Sequence, residues 1–263
     1  MDPSGAGDPG VVVGSRIPRT INGLLVGAAL ALTGAVLQAA TRNPLADAGL
    51  LGLNSGAALA VVMGISFFGV ASVAGMSWFA LIGAGVAVGL VQLVASRGAG
   101  GATPLKLALA GAALAAGAGS VTQAFLLREQ DALETFRFWQ LGSLTARTPQ
   151  DALGVLGFLA VGVALALLCA RPLDRMALGD DVAASLGTNP ARVRLISLVA
   201  AVLLAGAATT LAGPIAFVGL VVPHAIRLMV GPRFAFVAPL SLLAGPVLVL
   251  AADTAYNAFP QMA

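Results

Sequence analysis

Eight runs of spanning length with almost no charge follow one another along the chain, at roughly residues 21–40, 48–70, 73–96, 104–127, 152–170, 195–212, 214–230 and 237–256. A helix rises about 1.5 Å per residue, so about twenty apolar residues match a hydrocarbon core about 30 Å thick. Helices and closed barrels are the two structures that satisfy every backbone polar group in lipid. Barrel strands alternate apolar and polar residues in segments of about ten, whereas these runs are continuous. The chain therefore reads as an all-α polytopic membrane protein, about eight transmembrane helices in one bundle. Its charged fraction of 10% agrees, since soluble domains carry about a quarter. Gly213-Pro214 is read as the turn that separates the sixth run from the seventh.

The longest polar interruption is Arg171 to Arg194, RPLDRMALGDDVAASLGTNPARVR, with helix starts expected near Gly179 to Asp181 and Thr188 to Pro190. A segment this polar faces water beside the membrane, where another molecule can read it. With it on the cytoplasmic side, that side collects Arg42, Arg97, Lys106, Arg171, Arg175, Arg192, Arg194, Arg227 and Arg233. The other side holds Arg16, Arg19, Arg128, Arg137 and Arg147. Basic residues concentrate in cytoplasmic loops, so this asymmetry sets the orientation and puts the amino terminus outside. The net charge of +3 is spread over short loops rather than gathered in a patch, which argues against nucleic acid as a partner.

Small residues recur through GAALALTGA, GAGVAVG and GAALAAGAG, and such residues four apart let helix backbones approach closely in lipid. An internal repeat accompanies them. Leu24 to Gly34, LLVGAALALTG, and Leu203 to Gly213, LLAGAATTLAG, agree at seven of eleven positions. In the topology above the two copies run in opposite directions, the inverted-repeat arrangement of many transporters.

Signs of catalysis are missing. There is no HExxH, no GxSxG and no glycine-rich loop before the one lysine, Lys106. The single histidine, His224, has no second ligand at metal-binding spacing, and the single cysteine, Cys169, reads as a buried small apolar residue. No metal and no cofactor is expected, and any ATP would be bound by another chain. No ionisable residue sits centrally in a run, which argues against proton or sodium coupling; Lys106, Arg227 and Asp253 fall near run ends. Among the neutral polar residues Gln38, Asn54, Gln92, Ser120, Thr122 and Gln123, the cluster Ser120, Thr122 and Gln123 is the best candidate to line a pathway. On these residues alone, a stand-alone secondary transporter or channel and a fragment that only assembles with partners stay open.

Four stretches resemble one family in order and spacing: RIPRTINGLLVGAALALTGAVLQAATRNPLADAGLLGLNSGAAL at 16–59, FWQLGSL at 138–144, LGDDVAASLG at 178–187 and GPIAFVGLVVPHAIRLMVG at 213–231. Together they are similar to the FecCD family of ABC-transporter permeases, importers of iron-siderophore complexes, haem and vitamin B12. The resemblance implies a multi-pass protein of the bacterial cytoplasmic membrane, ATP-binding subunits inside, a substrate-binding protein outside and a second permease copy in a homodimer or paralogue heterodimer. It implies an ATPase-coupling loop at 171–194 centred on Leu178, Gly179, Asp180, Asp181, Ser185, Leu186 and Gly187. It further implies that Arg16 and Arg19 dock acidic groups of the binding protein. A flexible segment at 1–15 and a single permease domain over 16–263 are expected. Against the ten spans of the family, the eight here leave out the first and last helices.

Overall fold

The computed structural model describes residues 9–49, 51–97, 103–142, 144 and 149–258. The described residues form helices only: α1 (Pro9–Thr41), α2 (Leu53–Phe68), α3 (Val73–Ala95), α4 (Pro104–Arg128), α5 (Gln130–Leu141), α6 (Pro149–Leu168), α7 (Ala170–Met176), α8 (Asp180–Ser185), α9 (Pro190–Ala212), α10 (Val218–Val230) and α11 (Phe234–Ala258). Backbone helix begins at Pro9, seven residues before the domain boundary placed at Arg16.

The bundle is arranged around α1. Its side chains at Val26, Ala31, Leu32, Ala35, Val36 and Leu37 are fully enclosed, and its neighbours reach it through glycines. An added Cβ at Gly27 would lie 2.6 Å from the Gly245 carbonyl oxygen of α11. One at Gly34 would overlap the Gly219 carbonyl of α10. Backbones this close gain dispersion contacts that lipid cannot supply. The contacts run antiparallel along α1 and α11: Arg19 meets Asp253, Gly23 faces Leu250 and Gly27 faces Gly245. Buried hydroxyls on α1 are satisfied within the helix, Thr33 donating to the Ala29 carbonyl and Thr41 to that of Leu37.

A second core surrounds α2 and α3, with Leu37 of α1 and Leu198 and Ala201 of α9 joining Leu53, Val61, Val62, Ala80 and Val88. Gly56 and Gly83 meet backbone to backbone between α2 and α3. The two copies of the internal repeat lie in α1 and α9, which are antiparallel, because Arg42 at the end of α1 shares a partner with Arg194 near the start of α9.

Each of the eight apolar runs is represented by a helix, but the count of eight full spans is not reached. Five helices are long and apolar enough to cross a membrane, and the bent pair α6–α7, angled by 46°, brings this to six. The two others, α2 and α10, are shorter. For α10 the cause is local: Gly213, Pro214 and the left-handed Phe217 (φ 69°) keep residues 213–217 out of helix. Before α2, the Asp47 carboxylate accepts from the Gly49 amide and the left-handed Gly52 (φ 74°) precedes the helix, so the start of the run stays in turns. The helix α5 lay within a stretch read as connection; it is amphipathic and buries Ala132, Phe136 and Trp139.

Candidate functional site

The polar segment 171–194 folds into α7, α8 and the first turn of α9. Two glycines shape it. Gly179 (φ 109°) starts α8 in a conformation closed to other residues. Gly187 (φ 77°) ends it: its amide donates to the Ala184 carbonyl and the next amide, of Thr188, reaches back to Ala183, which closes the helix with a left-handed cap. Asn189 then caps α9 by accepting from the Arg192 amide, with Pro190 in the first turn.

Side chains tie this segment to three long helices. Asp180 accepts from Arg194 Nη2 with both oxygens at 2.8 Å and lies 3.3 Å from Arg42 Nη2. Arg194 is 5% exposed and Asp180 33%, so the guanidinium is shielded from water while the carboxylate is partly open to it. Asp174 of α7 accepts from the Phe234 and Ala235 amides and so caps the start of α11, where a carboxylate also complements the helix dipole. Arg175 Nη1 donates to the Leu186 carbonyl and to Thr188 Oγ1 at 3.3 and 3.4 Å.

Of the residues singled out in this segment, Asp180 thus faces inward and Asp181 outward, together with Ser185, Leu186 and Gly187. Exposed apolar side chains form a line along this stretch of chain, Leu178 before α8, Val182 within it and Leu186 at its end, 65%, 45% and 51% exposed. Val182 has no polar signature, and Arg42 and Arg194 lie far from Asp180 in sequence; neither the line nor the ion pairs had a short-range signal.

At the opposite end, Arg19 is engaged within the chain. Its Nε and Nη2 form a fork onto the two Asp253 oxygens at 2.7 and 2.6 Å. Arg16 is exposed and makes no ion pair among the described residues. Arg147 lies outside the described residues.

Thr122 and Gln123 line a cavity of about 430 Å³ between α2, α4 and α5, with Asn54, Ser55, Arg137 and Gln140 among its walls. Ser120 is not among them; it is exposed and donates to the Ala116 carbonyl. Gln38 holds the start of α10, donating to the Gly219 and Leu220 carbonyls while accepting from Arg227 at 2.6 Å. His224 is exposed and Cys169 buried. No cluster of metal-ligating side chains occurs among the described residues.

The FecCD transport family model matches residues 5–262. The ferric enterobactin transport system permease protein FepD of Escherichia coli K12 is 45% identical over 243 residues, 92% of this chain and 73% of the relative. The Fe(3+)-citrate import system permease protein YfmD of Bacillus subtilis is 38% identical, covering 93% of this chain and 73% of the relative. A solved structure described as a metal-chelate type ABC transporter in an inward-facing conformation superposes with a TM-score of 0.85 at 26% identity, over 98% of this chain and 83% of the other.

Proposed function

The chain belongs to the FecCD transport family, and from that premise we propose that it is the multi-pass permease subunit of an ABC importer that carries iron(III)-siderophore complexes across the bacterial inner membrane. Partner subunits bind ATP and a binding protein delivers the complex from outside. The observation that carries the mechanical part is the two-sided construction of α8. Its outer side offers Leu178, Val182 and Leu186 to a partner, while its inner side is fastened through Asp180 to α9 and to the end of α1.

A push on α8 by an ATP-binding subunit then moves these elements together, because Asp180 joins the ends of α1 and α9, and Asp174 joins α7 to α11. The packed backbones of α1 and α11 carry that displacement across the membrane as a rigid unit, and alternating access follows. Substrate passes alongside a second permease copy, near the polar wall formed by Thr122 and Gln123. At the outer face Arg16 is the docking cation for an acidic partner, and Arg19 holds α1 to α11. Rim cations of this kind act mainly on association rate.

The test uses the whole transporter in proteoliposomes. Val182→Glu places a charge in the middle of the apolar line at an exposed position, so folding is spared. Substrate-stimulated ATP hydrolysis is expected to fall about tenfold or more, the effect of desolvating an unpaired charge in an interface. Hydrolysis and uptake at the native level in that variant would exclude this face as the ATPase contact.

A further inference from the structure

A groove of about 400 Å³ runs between α3 and α9, walled by Gly85, Gly89 and Gln92 on one side and by Leu195, Val199 and Leu203 on the other. Successive residues lie one turn apart on each helix, so each set forms one continuous face. The groove exists because the α3 side lacks side chains. A Cβ at Gly89 would meet nothing within 4 Å, and one at Gly85 would touch only Val202 at 3.7 Å. From Gly85 to Ser96, eleven residues at 1.5 Å, it extends about 16 Å, the depth of one leaflet of hydrocarbon.

Its end is charged. Arg97 follows the last wall residue of α3, and Arg192 stands one turn before Leu195 on α9; both are exposed, and neither pairs with a carboxylate among the described residues. This is the end at which Arg194 meets Asp180, the side that the proposed function places in the cytoplasm.

We infer that this groove is a binding site for an anionic phospholipid of the inner leaflet, with one acyl chain between α3 and α9 and the phosphate between Arg97 and Arg192. The apolar length fits a chain, and the two guanidiniums match the headgroup charge. The bound lipid fills a seam beside the helix that Asp180 ties to the coupling segment, and so stiffens it.

The transporter is to be reconstituted in bilayers of equal phosphatidylglycerol and phosphatidylethanolamine, released in mild detergent and weighed by native mass spectrometry. One retained phosphatidylglycerol per permease is expected, with roughly thirtyfold preference over phosphatidylethanolamine from two arginines. Gly89→Leu fills the groove and removes the adduct; Val199→Trp, from the exposed opposite wall, does the same should the first variant fold poorly. Arg97→Gln with Arg192→Gln keeps a lipid but loses the preference. A native transporter without adduct, or adducts unchanged by both filling variants, overturns the site, and equal retention of the two lipids by the native protein overturns the headgroup assignment.

Discussion

Asp180→Asn is expected to destabilise the end of the bundle where α1, α8 and α9 meet by roughly 2–3 kcal/mol, below the usual cost of breaking a buried ion pair because Asp180 is one-third exposed. The substitution keeps the shape and removes the charge that binds two guanidiniums at once. Arg194 sits almost wholly inside the protein, so it cannot turn to water. Two readouts are expected to move together: the melting temperature of the detergent-solubilised chain falls, and ATP hydrolysis loses its dependence on substrate. Asp181→Asn, on the exposed side of the same turn, is expected to leave the melting temperature in place, which separates anchoring from surface charge. Equal behaviour of the two variants would refute the anchoring role of Asp180.

The second large effect concerns packing. Gly34→Val is expected to cost at least about 3 kcal/mol, since the new side chain overlaps the Gly219 backbone and backbone cannot swing aside as a side chain does. The damage spreads, because Gln38 one turn further on α1 depends on the same approach to reach the Gly219 and Leu220 carbonyls. Loss of monodisperse protein after solubilisation, or a collapse of the melting transition, is the measurement. Gly157→Ala serves as comparison: nothing lies within 4 Å of its added Cβ, and the variant is expected to be neutral or slightly stabilising through lower chain entropy. A normal transition for Gly34→Val would show that α1 and α10 are not held at this distance.

The helical class was legible because a continuous apolar run carries its own signature, and all eight runs reappear as helices. Their lengths were less legible. Phe217 adopts a left-handed conformation that no composition rule assigns to phenylalanine, and it shortens α10; α5 was hidden because its apolar residues occupy only one face. In the polar segment 171–194, the turns at Gly179 and Gly187 followed from the residue types. The inward orientation of Asp180 did not, since it depends on Arg42 and Arg194 arriving from two other helices. Arg19 shows the same limit. Its partner Asp253 arrives on α11, from the far end of the sequence.

On the proposed function, this chain moves iron(III)-siderophore complexes only when driven by an ATP-binding partner. The direct measurement is uptake of ⁵⁵Fe-labelled ferric siderophore into proteoliposomes containing the permease with its ATP-binding subunits and binding protein. Accumulation is expected to require ATP and to cease when the ATP-binding subunits are omitted. Accumulation that continues without nucleotide or those subunits would contradict it and mark the chain as a stand-alone transporter.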